Sequence, residues 1–180
     1  NFNNSSINLT LSMIGLHQIE NVLAAVACAI NLGISPDLIK EGLEKVRSEK
    51  SRLELIELQN FTILDDSYNA NPQSMKAAIK TLKDFPGQKL LVLGSMAELG
   101  KESKKLHQEI GDYARALKIS NILTIGEDAK HFKGDHFNSI DSILNEIKNK
   151  HKGATILIKG SRMMGLNKLI DILINTSNSS

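Results

Sequence analysis

Tryptophan is absent from this chain, cysteine occurs once, proline three times, and only 4% of residues are aromatic. One cysteine excludes a disulfide framework and a cysteine-built zinc site. Cys28 lies in the alanine-rich run of residues 22–30 and is expected to be a small buried side chain in a reducing, cytoplasmic protein. So few aromatics exclude a base-stacking platform. Lys and Arg number 22 against 20 Asp and Glu, scattered along the sequence, so no basic face exists for a nucleic acid partner. No apolar run reaches the roughly 20 residues of a membrane helix, which excludes helical membrane insertion.

What is present is the composition of a packed protein: 180 residues, 41% hydrophobic, enough to bury a core. Residues 1–6 lack an initiating Met and any signal-peptide pattern, and the chain is expected to be the rear part of a longer protein. Residues 7–11 alternate as a strand would. Two helical patterns follow. Val22, Ala25, Val26, Ala29 and Ile30 recur at helical spacing up to Gly33, and Ser35-Pro36-Asp37 restarts a helix with an N-cap and a first-turn proline. Lys50-Ser51 marks a boundary.

Beyond it strands and helices alternate. Residues 53–58 and 61–64 read as a hairpin through Gln59-Asn60. A helix is expected over 72–84, a buried strand over 89–94, a helix over 102–117 and a buried strand over 121–126. His136-Phe137 reads as a short strand, 139–150 as a helix, 154–159 as a strand and 166–174 as a last helix, with residues 175–180 fraying. Such alternation implies right-handed crossovers and an α/β, doubly wound, mostly parallel sheet. His107, His131, His136 and His151 show no metal-ligand spacing and are expected on the surface.

Polar chemistry concentrates where strands end. The run Asp65-Asp66-Ser67-Tyr68-Asn69-Ala70-Asn71-Pro72 joins a strand to a helix, and capping by Asn71 and Pro72 does not account for the rest of it. Gly94-Ser95-Met96-Ala97-Glu98-Leu99-Gly100, Gly126-Glu127 and Lys159-Gly160-Ser161-Arg162 follow three more strands. A parallel sheet brings these ends to one edge, where ligands of open α/β sheets bind. The expected cleft holds acids, amides and two cations.

These motifs, in this order, resemble the carboxy-terminal part of the Mur ligases, the ATP-dependent enzymes that build the peptide of the bacterial cell wall. Gly15-Leu16-His17-Gln18-Ile19-Glu20-Asn21-Val22-Leu23-Ala24-Ala25 is similar to the segment ending the family's central ATPase domain. Ser51-Arg52-Leu53-Glu54 resembles the opening of its third domain. The stretch from Asp65 to Met75 matches the D-alanyl-D-alanine-adding branch. Two departures stand out: Gln18 where the family usually has Asn, and Ser95 where it usually has Asp. No Gly-x-x-x-x-Gly-Lys-Ser/Thr phosphate loop occurs in these residues.

The resemblance implies residues 1–49 as the end of the central ATP-binding domain (a strand plus two helices) and 50–180 as a Rossmann-like acceptor-binding domain. It implies a ligase, monomeric, joining D-alanyl-D-alanine to UDP-N-acetylmuramoyl-tripeptide through an acyl phosphate. ATP and Mg2+ would be held mainly upstream, so the chain alone is expected to be inactive. By the same resemblance His17, Asn21, Arg52 and Asp66 meet the nucleotide: Asn21 the adenine, Asp66 the ribose, Arg52 the phosphates. Tyr68, Asn69, Asn71, Ser161 and Arg162 face the acceptor dipeptide, with Lys159 a second candidate for its carboxylate. No residue is expected to act as a nucleophile or metal ligand. Two other readings remain at this point: a non-catalytic doubly wound ligand-binding module, and a sister ligase adding another amino acid or extending folate with glutamate.

Overall fold

Short apolar runs alternating with amphipathic stretches produce strands and helices in turn. The computed structural model describes them over residues 6–15, 17–47 and 49–177, with His17 in its main chain only. They form two compact units, Asn1–Glu49 and Lys50–Ser180.

The first unit holds helices α1 (His17–Asn31) and α2 (Pro36–Lys45). α2 begins as its sequence dictates: the hydroxyl of extended Ser35 accepts the Leu38 N–H at 3.5 Å, and Pro36 occupies the first turn. The strand expected over residues 7–11 does not form. A strand needs a paired edge, and here the Thr10 N–H donates to the Glu44 carboxylate (3.2 Å) instead. Cys28 is exposed, not buried. At about 100° per residue it lies well round α1 from Val22, the buried position.

The second unit runs β1 (Glu54–Glu57), β2 (Thr62–Asp66), α3 (Pro72–Lys83), β3 (Lys89–Gly94), α4 (Ser103–Ala116), β4 (Ile122–Ile125), β5 (Asp135–Phe137), α5 (Ile140–Lys150), β6 (Thr155–Lys159) and α6 (Asn167–Ser177). The sheet order is β1-β2-β6-β3-β4-β5, with β1 antiparallel to β2 and every other pair parallel. This is the mostly parallel α/β sheet read from the sequence.

Both faces are covered, which is why the central strands are apolar throughout. On one face Ile63, Leu90, Val92, Ile156 and Ile158 pack with Ile143 and Ile147 of α5 and Leu169 and Leu173 of α6. Leu91 and Leu157, one residue out of phase, are equally buried and turn to the other face, where α3 packs on β3, β6 and α4. Each fully buried Leu or Ile contributes roughly 1.5–3 kcal/mol of transfer free energy.

Two boundaries differ from expectation by more than one residue. β2 continues through Asp65 and Asp66 because both have ladder partners: Asp65 pairs with Glu54 and Ile158, Asp66 with Lys159. Pairing overrides the poor strand propensity of aspartate. α6 continues to Ser177 rather than ending at 174, and Asn175 does not begin a frayed tail. The apolar face of Ile170, Leu173 and Ile174 carries the helix on, and the Thr176 hydroxyl donates to the Ile172 carbonyl at 2.9 Å. Residues 178–180 lie outside the described residues.

Candidate functional site

The carboxyl ends of β2, β3 and β6 lie side by side because β6 pairs in parallel with both neighbours, and glycines let β3 and β6 run on in close approach. A Cβ on Gly160 would stand 2.8 Å from the Cα of Gly94, so neither β6 nor β3 could carry a side chain at that crossing. The three following loops then wall a cavity of about 420 Å3 with residues 68–71, 97–99 and 161–163. Tyr68, Asn69, Asn71, Ser161 and Arg162 are all brought together there, as the sequence reading expected.

The β2 loop is held from below. Asp65, 2% exposed, accepts the Ser67 N–H and the Ser51 hydroxyl, each at 2.9 Å, an Asx-type turn that bends the chain out of the sheet. Asp66 accepts the Leu53 N–H through Oδ1 (3.1 Å) and pairs with Lys159 through Oδ2 (2.5 Å). The Lys159 ammonium also donates to the Asn69 carbonyl at 2.9 Å. Lys159 is 2% exposed, so its charge is spent on these partners and shapes the loop from beneath. Asn71 caps α3: its Oδ1 accepts the Ser74 N–H (2.8 Å) while the Ser74 hydroxyl accepts the Asn71 N–H (3.1 Å). Pro72 follows in the first turn.

Above this base stands Tyr68, about two-fifths exposed. The Arg52 guanidinium lies 4.4 Å from its ring centroid and that of Arg162 lies 5.7 Å away. Each such contact contributes on the order of 0.5–1 kcal/mol at an exposed site. Their larger consequence is two permanent positive charges gathered at one aromatic ring, a place for anionic oxygen. The hydroxyls of Ser67 and Ser161 are buried and, among the described residues, hydrogen-bond to no protein atom.

Ser95 ties the loops together. Its hydroxyl accepts the Ala129 N–H (3.1 Å), its N–H donates to Ile125 (3.2 Å), and its carbonyl accepts the Ser161 N–H (3.0 Å). One further residue was missed in the sequence: His107, expected on the surface, is wholly buried. Its Nε2 accepts the Met96 N–H at 2.9 Å, and its Nδ1 lies 2.7 Å from the Ser103 carbonyl. An N–H can only donate, so Nε2 is bare and the proton sits on Nδ1. Burial against Phe132 pushes the His107 pKa below its ordinary value, against the upward pull of the Ser103 carbonyl and Asp128. The signal was available: residues 107, 110, 111 and 114 form one buried helical stripe. His151 is also buried rather than on the surface. It closes α5, and its Nδ1 lies 3.2 Å from the Gln88 amide nitrogen.

The remaining expected contacts lie in the first unit. The Asn21 amide is exposed and donates to Gln18 at 3.0 Å, and the His17 side chain falls outside the described residues. Among the described residues no group of three or more His, Cys, Asp or Glu is placed to hold a metal ion.

A six-stranded, mostly parallel sheet whose strand ends wall a polar cavity holding Arg162 and Glu98 defines an α/β domain with its cleft at the carboxyl edge of the sheet. The family model for the Mur ligase glutamate ligase domain matches residues 51–162, and the chain belongs to the Mur ligase family. Over 95% of its length it is 40% identical to the UDP-N-acetylmuramoyl-tripeptide–D-alanyl-D-alanine ligase of Buchnera aphidicola subsp. Baizongia pistaciae, covering 39% of that protein. It is 37% identical to the Escherichia coli ligase of the same name over 93% of the chain and 39% of the relative. The crystal structure of MurF from Acinetobacter baumannii superposes with a TM-score of 0.84 at 33% identity, over 93% of this chain and 39% of that one. MurF from Thermotoga maritima in complex with ADP does so with a TM-score of 0.82 at 25% identity, over 92% and 40%. The chain thus spans about two-fifths of these relatives and corresponds to their carboxy-terminal portion.

Proposed function

We propose that this chain is the acceptor-binding part of an ATP-dependent ligase that joins D-alanyl-D-alanine to UDP-N-acetylmuramoyl-tripeptide in peptidoglycan precursor synthesis. The observation that carries this reading is the cavity itself: three motifs distant in sequence meet round Tyr68, with Arg52 and Arg162 beside its ring. Residues 1–49 are taken as the end of the ATP-binding domain and 50–180 as the acceptor domain, in a monomeric cytoplasmic enzyme.

ATP, when bound, supplies the phosphoryl group that activates the donor carboxylate. The donors fit it: Arg52 offers a permanent planar cation to phosphate oxygens, and Asp66 retains lone pairs for a ribose hydroxyl. His17 and Asn21 are assigned to the nucleotide on the family resemblance alone. Magnesium finds no acidic cluster among the described residues.

The dipeptide carries a terminal carboxylate, which asks for a cation and oriented N–H or O–H donors. Arg162 provides the cation and Ser161 a buried hydroxyl. Tyr68 and the Asn69 amide line the space between, and Asn71 keeps the loop entering α3 at the right angle. Lys159 orients Asn69 and Asp66 rather than meeting the ligand. All of these groups hold and orient; most of the rate then comes from placement and charge neutralisation.

The test uses the full-length ligase containing this chain. Arg52→Ala is expected to lower turnover by about 2–4 kcal/mol of transition-state stabilisation. Arg162→Ala is expected to raise the KM for D-alanyl-D-alanine. Wild-type kinetics in both variants would remove the site. Residues 1–180 alone are expected neither to hydrolyse ATP nor to form product.

A further inference from the structure

The wall of the cavity formed by residues 97–99 belongs to a loop with no regular structure, between the end of β3 and the turn Gly100–Glu102. Glu98 within it holds a left-handed φ of 63°, a conformation a non-glycine residue keeps only when its surroundings impose it. At the root of this loop the Met96 N–H points inward to the bare Nε2 of His107. His107 is itself pinned by three groups. Its Nδ1–H donates to the Ser103 carbonyl, the Ser103 hydroxyl donates to Asp128 at 2.8 Å, and its ring lies 4.8 Å from that of Phe132. Asp128 and His131 are the titratable groups that act on the imidazole from the neighbouring turn Asp128–Phe132.

We propose that His107 is a positioning residue for the acceptor: its neutral imidazole, by accepting the Met96 N–H, holds residues 96–99 as the wall against which the dipeptide rests. The inference rests on the reading of the cavity as the acceptor site and adds to it a residue that touches no ligand. The chemistry is one-sided. A buried N–H must have an acceptor, and within this packed helix stripe only a lone pair at the Nε2 position supplies it. A protonated imidazole would present a second N–H there and repel the loop.

His107→Leu preserves apolar bulk and removes the acceptor; His107→Gln can present its Oε1 near the position of Nε2. In the full-length ligase His107→Leu is expected to raise the KM for D-alanyl-D-alanine roughly tenfold, the size expected from orphaning one buried donor. The KM for ATP and kcat at saturating dipeptide should stay near wild type, and His107→Gln should recover most of the loss. An unchanged dipeptide KM in a folded His107→Leu enzyme overturns the proposal, and so does an equal loss in ATP KM.

A second measurement needs no substrate. In the 180-residue chain, nitrogen-15 spectra of the imidazole should show an unprotonated Nε2, and the Met96 amide should be slow to exchange. A protonated Nε2 or a freely exchanging Met96 amide overturns the proposal even if His107→Leu fails to fold. An enzyme indifferent to the dipeptide would overturn the reading of the cavity instead, which these spectra do not touch.

Discussion

Lys159 and Asp66 form a part-buried ion pair across the carboxyl ends of adjacent parallel strands, Nζ to Oδ2 at 2.5 Å. One partner stands beneath the cavity and the other is the carboxylate assigned to the nucleotide, so the pair links the two halves of the proposed site. It also changes what a substitution at residue 66 can mean. Asp66→Ala removes both the counter-charge of Lys159 and the oxygen that accepts from it, whereas Asp66→Asn keeps an accepting amide oxygen, so Asp66→Asn is the variant from which an effect on nucleotide binding is better read.

Breaking that pair should be costly. Asp66→Ala leaves the buried Lys159 ammonium without its counter-charge, and the expected loss is about 3–5 kcal/mol by urea denaturation. The double variant Asp66→Ala/Lys159→Met should recover part of it. A single-variant loss below about 1 kcal/mol would mean the pair behaves as a surface salt bridge.

Asn71 is expected to act on stability before it acts on the ligand. Its side-chain oxygen is engaged by the Ser74 N–H, so Asn71→Ala should cost about 1 kcal/mol. Thermal unfolding should begin some 2–4 °C lower in a protein of this size. Asn71→Asp keeps the cap and should unfold at the wild-type temperature.

The buried imidazole predicts a pH dependence of stability. The pKa of His107 is lowered below 6.5 in the fold, first by desolvation. Below that value the unfolded chain takes up a proton that the folded chain refuses, so stability declines as pH falls. The decline ends once the folded pKa is passed and both states are protonated. Denaturation midpoints measured from neutral pH downward should therefore fall less steeply in His107→Gln. Parallel curves for the two proteins would refute this. The exposed carboxylates of Asp112 and Glu127 are held below their ordinary values by hydrogen bonds from Arg115 and Lys130.

Gly160 and Gly42 should respond oppositely to alanine. At 160 the added carbon meets Gly94 and Leu166 within 2.9 Å, which should cost about 1–3 kcal/mol and shift Ser161 away from the Ser95 carbonyl. A raised dipeptide KM would accompany it. At 42, inside α2, nothing lies within 4 Å, and alanine should stabilise by about 0.5–1 kcal/mol.

The sheet was legible because fully covered strands leave continuous apolar runs, as in residues 89–94 and 154–159, and because Ser35 and Asn71 announce helices by their capping chemistry. The gathering of Tyr68, Asn69, Asn71, Ser161 and Arg162 followed from parallel topology. Failures arose where a residue's fate depends on a distant partner. Asp65 and Asp66 look like turn residues until Glu54 and Lys159 pair with them. The burial of His107 could have been read from its helical stripe, but not its bond to the Met96 N–H eleven residues earlier. Residues 7–11 alternate like a strand, and only a neighbouring edge would have made them one. For Lys159, expected as a second candidate for the acceptor carboxylate, no local pattern reveals the pairing with Asp66.

The placement of β6 has a consequence for how the protein is made. The fifth of the sheet's parallel-running strands to emerge from the ribosome, β6 inserts between β2 and β3, so everything synthesised earlier forms two half-sheets with a gap between them. A nascent chain released before residue 159 would expose both open edges, inviting aggregation rather than slow completion. The cavity walled by residues 68–71, 97–99 and 161–163 could take shape only after β6 and the loop behind it have emerged.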